Sequence, residues 1–228
     1  MIFLPGKRFG YSWQASLDST LGQASSKETS RSTWKHRREN KYRSKRSVQR
    51  VTHKLVSVYP TWLVNPKTTL GFLNCKHNPD TKETTIHPRF FSKVDLLTFG
   101  PVQEVSKNTN KYKVKLPITG GLLALQEETN SKILGNRKDY GCLLFQTHCC
   151  DSVRLMNDNE KNKKQTNTNS LTCNLQTNIA GNYCPRIAGP VPVPSLRKWM
   201  YLSSQSIVHA YVMFQFHNTW NKRINTVC

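Results

Sequence analysis

The stretch LRKWMYLSSQSIVHAYVMFQFHNTW, Leu196 to Trp220, decides how this chain is read. Trp199, Leu202, Ser206, His209, Val212 or Met213, Phe216 and Trp220 recur every three to four residues. That spacing predicts a long helix. Ser195 supplies an N-cap, and the prolines at 190, 192 and 194 predict an extended approach to it. Apolar coverage is broad, so the helix is either well buried or lies against a membrane. The polar groups of Ser203, Ser204, Gln205, Ser206, His209, Gln215 and His217 argue against a membrane span. His209 and His217 stand about two turns apart and share a face.

Upstream, the pattern is that of strands. Lys111 to Leu116 alternates lysine with Tyr112, Val114 and Leu116, which predicts a half-buried antiparallel strand with a basic outer face. Leu171, Cys173, Leu175, Thr177 and Ile179 alternate in the same way. Gly141 to Thr147, Val94 to Phe99, Thr68 to Cys75 and Leu122 to Leu125 are further short apolar runs. Leu55 to Val64 is rich in β-branched residues, and Pro60 restricts it to an edge strand or a turn. Residues 157–170, NDNEKNKKQTNTNS, are of low complexity and are expected to loop out.

Several antiparallel strands followed by one long helix make an α+β fold. A curved antiparallel sheet with one apolar face needs a cover, and the C-terminal helix provides it. The expected organisation is a disordered basic arm or targeting segment over residues 1–50 and a single α+β domain over 51–223. Two segments carry a resemblance. Pro185-Arg186-Ile187-Ala188-Gly189-Pro190 and the run from Tyr201 to His217 resemble the end of proteins in the helix-grip, START-like (SRPBCC-type) superfamily. That resemblance implies a sheet wrapped around the C-terminal helix, with a cavity for an apolar ligand between them. It does not settle a function.

Charge is the other strong feature. The chain has 34 Lys plus Arg against 13 Asp plus Glu, a net +21. Lys27 to Lys54 holds eleven basic residues and two acidic ones, +9 in 28 residues. Such a field attracts RNA, anionic membrane surfaces or acidic proteins without choosing among them. A solvated tail, a transit segment and a nuclear import signal are compatible with the same composition. The expected setting is intracellular, in a mitochondrion, plastid or nucleus. Nucleic-acid contact would use Trp34, Lys35, Arg37, Arg38, Lys41, Tyr42, Arg43, Lys45, Arg46 and Arg50, with the two aromatics available for stacking on bases.

Enzymatic chemistry finds little support. The seven cysteines are irregularly spaced and include no Cys-x-x-Cys pair, so no metal site and no cofactor is expected. Cys149 and Cys150 are adjacent and would point to opposite faces of a strand, as buried or idle thiols. No phosphate-binding glycine loop is present, and acids are sparse. The leading expectation is a non-enzymatic protein that binds a hydrophobic small molecule or lipid. Its pocket would be lined by Tyr112, Val114, Leu116, Leu175, Tyr201, His209, Met213 and Phe216. The alternative is an RNA-associated or ribonucleoprotein structural protein that uses the basic arm. An enzyme acting through His209 is a distant third. A cavity above ~300 Å³ under the last helix favours the ligand, and a solid core removes it.

Overall fold

A computed structural model describes residues 11–17, 24–35, 41–65, 72–108, 110–125, 141–153, 169–181, 183–185 and 205–227. In chain order the elements are β1 (Ser12–Leu17), β2 (Ala24–Lys35), α1 (Lys41–Ser57) and α2 (Tyr59–Leu63), then β3 (Leu73–His77), β4 (Thr84–Pro88), β5 (Leu97–Phe99) and β6 (Gln103–Lys107). They continue with β7 (Lys111–Gly120), β8 (Ala124–Leu125), β9 (Cys142–Val153), β10 (Asn169–Ala180), β11 (Cys184–Pro185) and α3 (Gln205–Val227).

Nine strands form one antiparallel sheet in the order β1-β2-β10-β9-β7-β5-β4-β3, with β6 also paired to β7. β8 and β11 form a separate pair. The curved sheet packs against α3, the arrangement expected from the alternating strands and the final helix. α3 lies on β2 and on α1, α1 reaches β7 and β9, and α2 reaches β3 and β4.

The alternation in β7 behaves as its sequence requires. Tyr112, Val114, Leu116 and Ile118 are buried, while the lysines between them face outward. Leu171, Cys173, Leu175, Thr177 and Ile179 of β10 are buried likewise. On α3 the buried positions Ala210, Met213, His217, Trp220 and Ile224 follow the helical repeat, with Val212 and Phe216 beside them. Phe216 meets Tyr59, Trp62 and Phe145 at ring-centroid distances of 5.4, 5.4 and 5.1 Å. Burying each such side chain contributes roughly 1.5–3 kcal/mol, so this aromatic knot is a main tie between helix and sheet. Trp220 Nε1 donates to Thr52 Oγ1 at 2.9 Å and ties α3 to α1.

Three expectations are corrected. The segment read as a disordered arm supplies β1, β2 and the start of α1, and the expected boundary at 50/51 falls inside α1. Its inward-facing row on β2 is Ser26, Glu28, Ser30 and Ser32, a period of two with no apolar residue to mark it. Leu55 to Val64 is helical, not a strand. Leu55, Val56, Tyr59, Trp62 and Leu63 recur at helical spacing, and Pro60 sits in the first turn of α2, where its missing N–H costs nothing. The third correction concerns sulfur. Cys149 on β9 stands opposite Cys173 on β10, and the two form a disulfide. Residues 154–168, which include most of the low-complexity insert, and residues 186–204, where the last helix was expected to begin, lie outside the described residues.

Candidate ligand cavity

The inner face of β2 is polar, and α3 answers it with His209, His217 and Asn225. Glu28 is fully buried there. Thr177, on the neighbouring β10, donates its hydroxyl hydrogen to Glu28 Oε2 at 2.8 Å. The same Thr177 oxygen lies 3.1 Å from His217 Nε2, and since its hydrogen is committed to Glu28 it accepts the Nε2–H. His217 Nδ1 is then the acceptor for Ser30 Oγ–H, at 2.7 Å. The donors run in one direction, from Ser30 through His217 and Thr177 to Glu28. Burial holds the His217 imidazole down to about 4, against a smaller opposing pull from Glu28, so the ring is neutral at pH 7.

The second helix histidine lies one strand-edge away. His209 Nε2 is 3.2 Å from Glu28 Oε1 and 3.1 Å from Ser26 Oγ. Its approach to Oε1 is not aligned as a hydrogen bond, and that oxygen has no hydrogen-bond partner. Tyr11 packs edge-on against His217 at 5.3 Å and donates to the Ala210 carbonyl at 3.3 Å. Burial, and then the Glu28 charge, raises the Tyr11 phenol well above its usual range and keeps it a donor.

Beside His209 the space between sheet and helices is not filled. A cavity of about 160 Å³ is bounded by Tyr59 of α2, by Leu97, Phe99, Ile118 and Ile179 of the sheet, and by Val212 and His209 of α3. The cavity is also bordered by the half-exposed Val208 of α3. It is larger than a packing void and smaller than the ~300 Å³ at which drug-sized pockets begin. An apolar space of about 150 Å³ accepts a benzene-sized molecule. His209 brings a polar ring to an otherwise apolar wall, and Tyr183, also on the wall, turns its hydroxyl to the Leu123 carbonyl at 3.3 Å.

No protein-family model matches the sequence, and no curated protein matches it. Among solved structures, the crystal structure of Ara h 8.0201 is similar over 84 % of this chain and 99 % of that chain, at 9 % sequence identity and a TM-score of 0.22. What the chain does is therefore to be sought in its own side chains.

Of the residues expected to line a pocket, His209 does so. Val114, Leu116, Leu175, Met213 and Phe216 are packed into the core between sheet and helix. Tyr112 is buried and donates to Glu104 Oε1 at 2.9 Å, and with its one hydrogen committed there its oxygen accepts from His53 Nδ1 at 2.8 Å. Tyr201 lies outside the described residues. The expected nucleic-acid set is scattered. Arg37 and Arg38 lie outside the described residues. Trp34 and Lys35 end β2, and Lys41, Tyr42 and Arg43 open α1. Arg46 and Arg50 are exposed, but Lys45 is turned inward, with Nζ donating to Asn110 Oδ1 at 2.8 Å.

Glu28, Ser30 and Thr177 were not anticipated. The signal was present as the Ser-x-Glu-x-Ser-x-Ser alternation of residues 26–32, which apolar periodicity does not register. The outer face of the sheet holds a second feature, a polar trough of about 530 Å³ lined by residues including Arg31, Lys111, Gln146, His148, Asn174 and Gln176. At its edge Cys150 Sγ lies 3.2 Å from His148 Nδ1.

Proposed function

We propose that the protein is a non-enzymatic binding protein for a small apolar molecule, or for the end of a lipid chain, held between the sheet and α3. The observation that carries this reading is the apolar cavity with His209 in its wall and the buried Glu28 behind that ring. An apolar body would fill the space, and a hydroxyl or carbonyl on it would find His209. The hydroxyls of Ser30 and Thr177 are buried and already engaged, which leaves neither as an accessible nucleophile. No helix among the described residues is long and apolar enough to cross a membrane.

Indole and oleate, titrated in separate arms and followed through the methyl resonances of Ile118, Ile179 and Val212, test the reading. Saturable shifts centred on those methyls in either arm support it. Their absence in both arms overturns it. Val212→Trp, which fills the cavity, is expected to abolish the shifts.

A second reading, association with RNA, is favoured by one observation. The outward register positions of β2, β7, β9 and β10 include Lys27, Arg31, Lys111, Lys113 and Lys115, and no Asp or Glu. That acid-free face, not a free arm, would be the contact. Deleting residues 1–54 removes β1, β2 and most of α1, so it tests folding instead. The useful variant is Lys111→Ala/Lys113→Ala/Lys115→Ala. Each lost phosphate contact lowers the log–log salt slope for single strands by about 0.7. An unchanged slope removes this reading.

A further inference from the structure

Among the described residues, five of the ten exposed large apolar side chains lie at one end of the sheet, the two most exposed of all among them. Phe90 is 83 % exposed and Phe91 67 % exposed, at the apex of the segment that joins β4 to β5. Phe72, Val94 and Leu122 are exposed as well. Backbone hydrogen bonds stitch these positions into one tip. Arg89 N–H donates to the Phe72 carbonyl at 2.7 Å, Val94 N–H to Phe91 at 3.1 Å, and Leu122 N–H to Asp95 at 2.7 Å. These bonds tie the backbone of the tip to the scaffold, and Phe90 and Phe91 stand exposed on it.

Directly beneath it lies the cavity. Leu73 follows Phe72, Leu96 follows Asp95 and Leu123 follows Leu122, and all three line the cavity wall. Leu123 N–H donates to the Leu96 carbonyl at 2.9 Å and closes that wall. Two cations, Arg89 and Lys93, flank the paired phenylalanines, against one acid, Asp95.

We propose that this tip docks the protein on an anionic lipid surface, with Phe90 and Phe91 entering the headgroup boundary and Arg89 and Lys93 meeting lipid phosphates. A convex apex of two adjacent aromatics suits an interface that yields, whereas a protein partner would have to supply a matching hollow. The flanking cations supply charge complementarity to acidic headgroups, and the chain's net +21 adds a long-range attraction. Docking stands on the surface alone. That docking brings the Leu73, Leu96 and Leu123 wall of the cavity to the membrane for exchange of contents rests on the ligand reading above.

Co-sedimentation with vesicles of phosphatidylcholine, and of phosphatidylcholine mixed with phosphatidylserine, tests the proposal on the full chain. The wild type is expected to bind the mixed vesicles. Phe90→Asp/Phe91→Asp is expected to lower that partitioning about tenfold or more, with an unchanged circular-dichroism spectrum and unchanged indole binding. Both side chains are solvated, so the variant is expected to fold. Arg89→Glu/Lys93→Glu is expected to weaken binding to mixed vesicles and leave any binding to phosphatidylcholine unaltered. A wild type that binds neither vesicle overturns the proposal. So does a Phe90→Asp/Phe91→Asp variant that binds as well as the wild type, because charge elsewhere on the chain would then be sufficient. Failure of indole binding with docking intact would strike the ligand reading alone.

Discussion

Thr177 on β10 donates a 2.8 Å hydrogen bond to Oε2 of Glu28, the fully buried carboxylate on β2. A carboxylate taken out of water costs several kcal/mol unless donors or charges compensate it. Thr177 supplies that donor and also fixes the proton on the far side, because its oxygen must accept from His217 Nε2. One hydroxyl therefore sets the tautomer of a helix histidine and engages one oxygen of a strand glutamate. This joins the N-terminal strand to the C-terminal helix through a middle strand.

Thr177→Val keeps the shape and removes both roles. It leaves Glu28 Oε2 without this donor and His217 Nε2–H without this acceptor. The expected loss is about 1.5–3 kcal/mol, the range for hydrogen bonds to charged groups. Thr177→Ser, which keeps the hydroxyl, is expected to recover most of it. Urea unfolding midpoints of the three proteins check this, and a Val variant as stable as the wild type would remove the network from the account of stability.

His217 makes stability depend on acid in a definite direction. Its folded-state value is lowered from 6.5 to about 4 by burial. Well above pH 6.5 the ring is neutral in both states and contributes no slope. Between 6.5 and about 4 the unfolded chain binds a proton that the native ring refuses, so stability falls as pH falls through that window. The full loss is on the order of 3 kcal/mol. His217→Gln removes the titrating group, and its stability relative to wild type is expected to improve steadily from neutral pH toward about pH 4.5. Parallel unfolding curves across that range check it. A wild-type-to-variant difference that does not change with pH would refute it.

The parts of this architecture that announce themselves in sequence are those where apolar and polar residues alternate strongly. Tyr112, Val114 and Leu116 against three lysines mark β7, and the repeat through Met213, Phe216 and Trp220 marks α3. β2 stays hidden because its buried row is serine and glutamate, and burial of such residues is decided by partners more than a hundred residues away. His217 meets Ser30 across 187 positions. The cavity is hidden for a related reason. It is bounded by residues from α2, several strands and α3, and the alternation that identifies a core residue does not say whether a neighbour fills the space beside it. Phe216 and His209 share one helix, yet the first is packed among rings and the second borders the gap.

The disulfide gives a prediction independent of the polar network. Cys149 and Cys173 are 24 residues apart, and chain-entropy arguments assign a cross-link of that span about 3 kcal/mol. Reduction, or Cys149→Ala/Cys173→Ala, is expected to lower the urea midpoint accordingly. Cys150, exposed beside His148, is expected to react with a thiol reagent before the buried Cys142 does. An unfolding midpoint indifferent to reductant would show that the two sulfurs are unbonded in solution.

Gly120 and Gly121 are neighbours with opposite requirements. Gly121 has φ +113°, and a Cβ there would stand 2.5 Å from the Leu96 carbonyl oxygen and 2.6 Å from the Leu97 Cα. These are backbone atoms and cannot step aside as a flexible side chain would. A Cβ on Gly120 meets nothing within 4 Å. Gly121→Ala is therefore expected to cost about 2–4 kcal/mol from conformation and overlap together. Gly120→Ala is expected to stay within about 0.5 kcal/mol of the wild type. Leu96 and Leu97 also line the cavity, so the shift that relieves Gly121→Ala moves its wall. Indole affinity is thus expected to fall in Gly121→Ala and to hold in Gly120→Ala. A Gly121→Ala protein that loses stability and keeps full affinity would separate the support of this turn from the shape of the cavity.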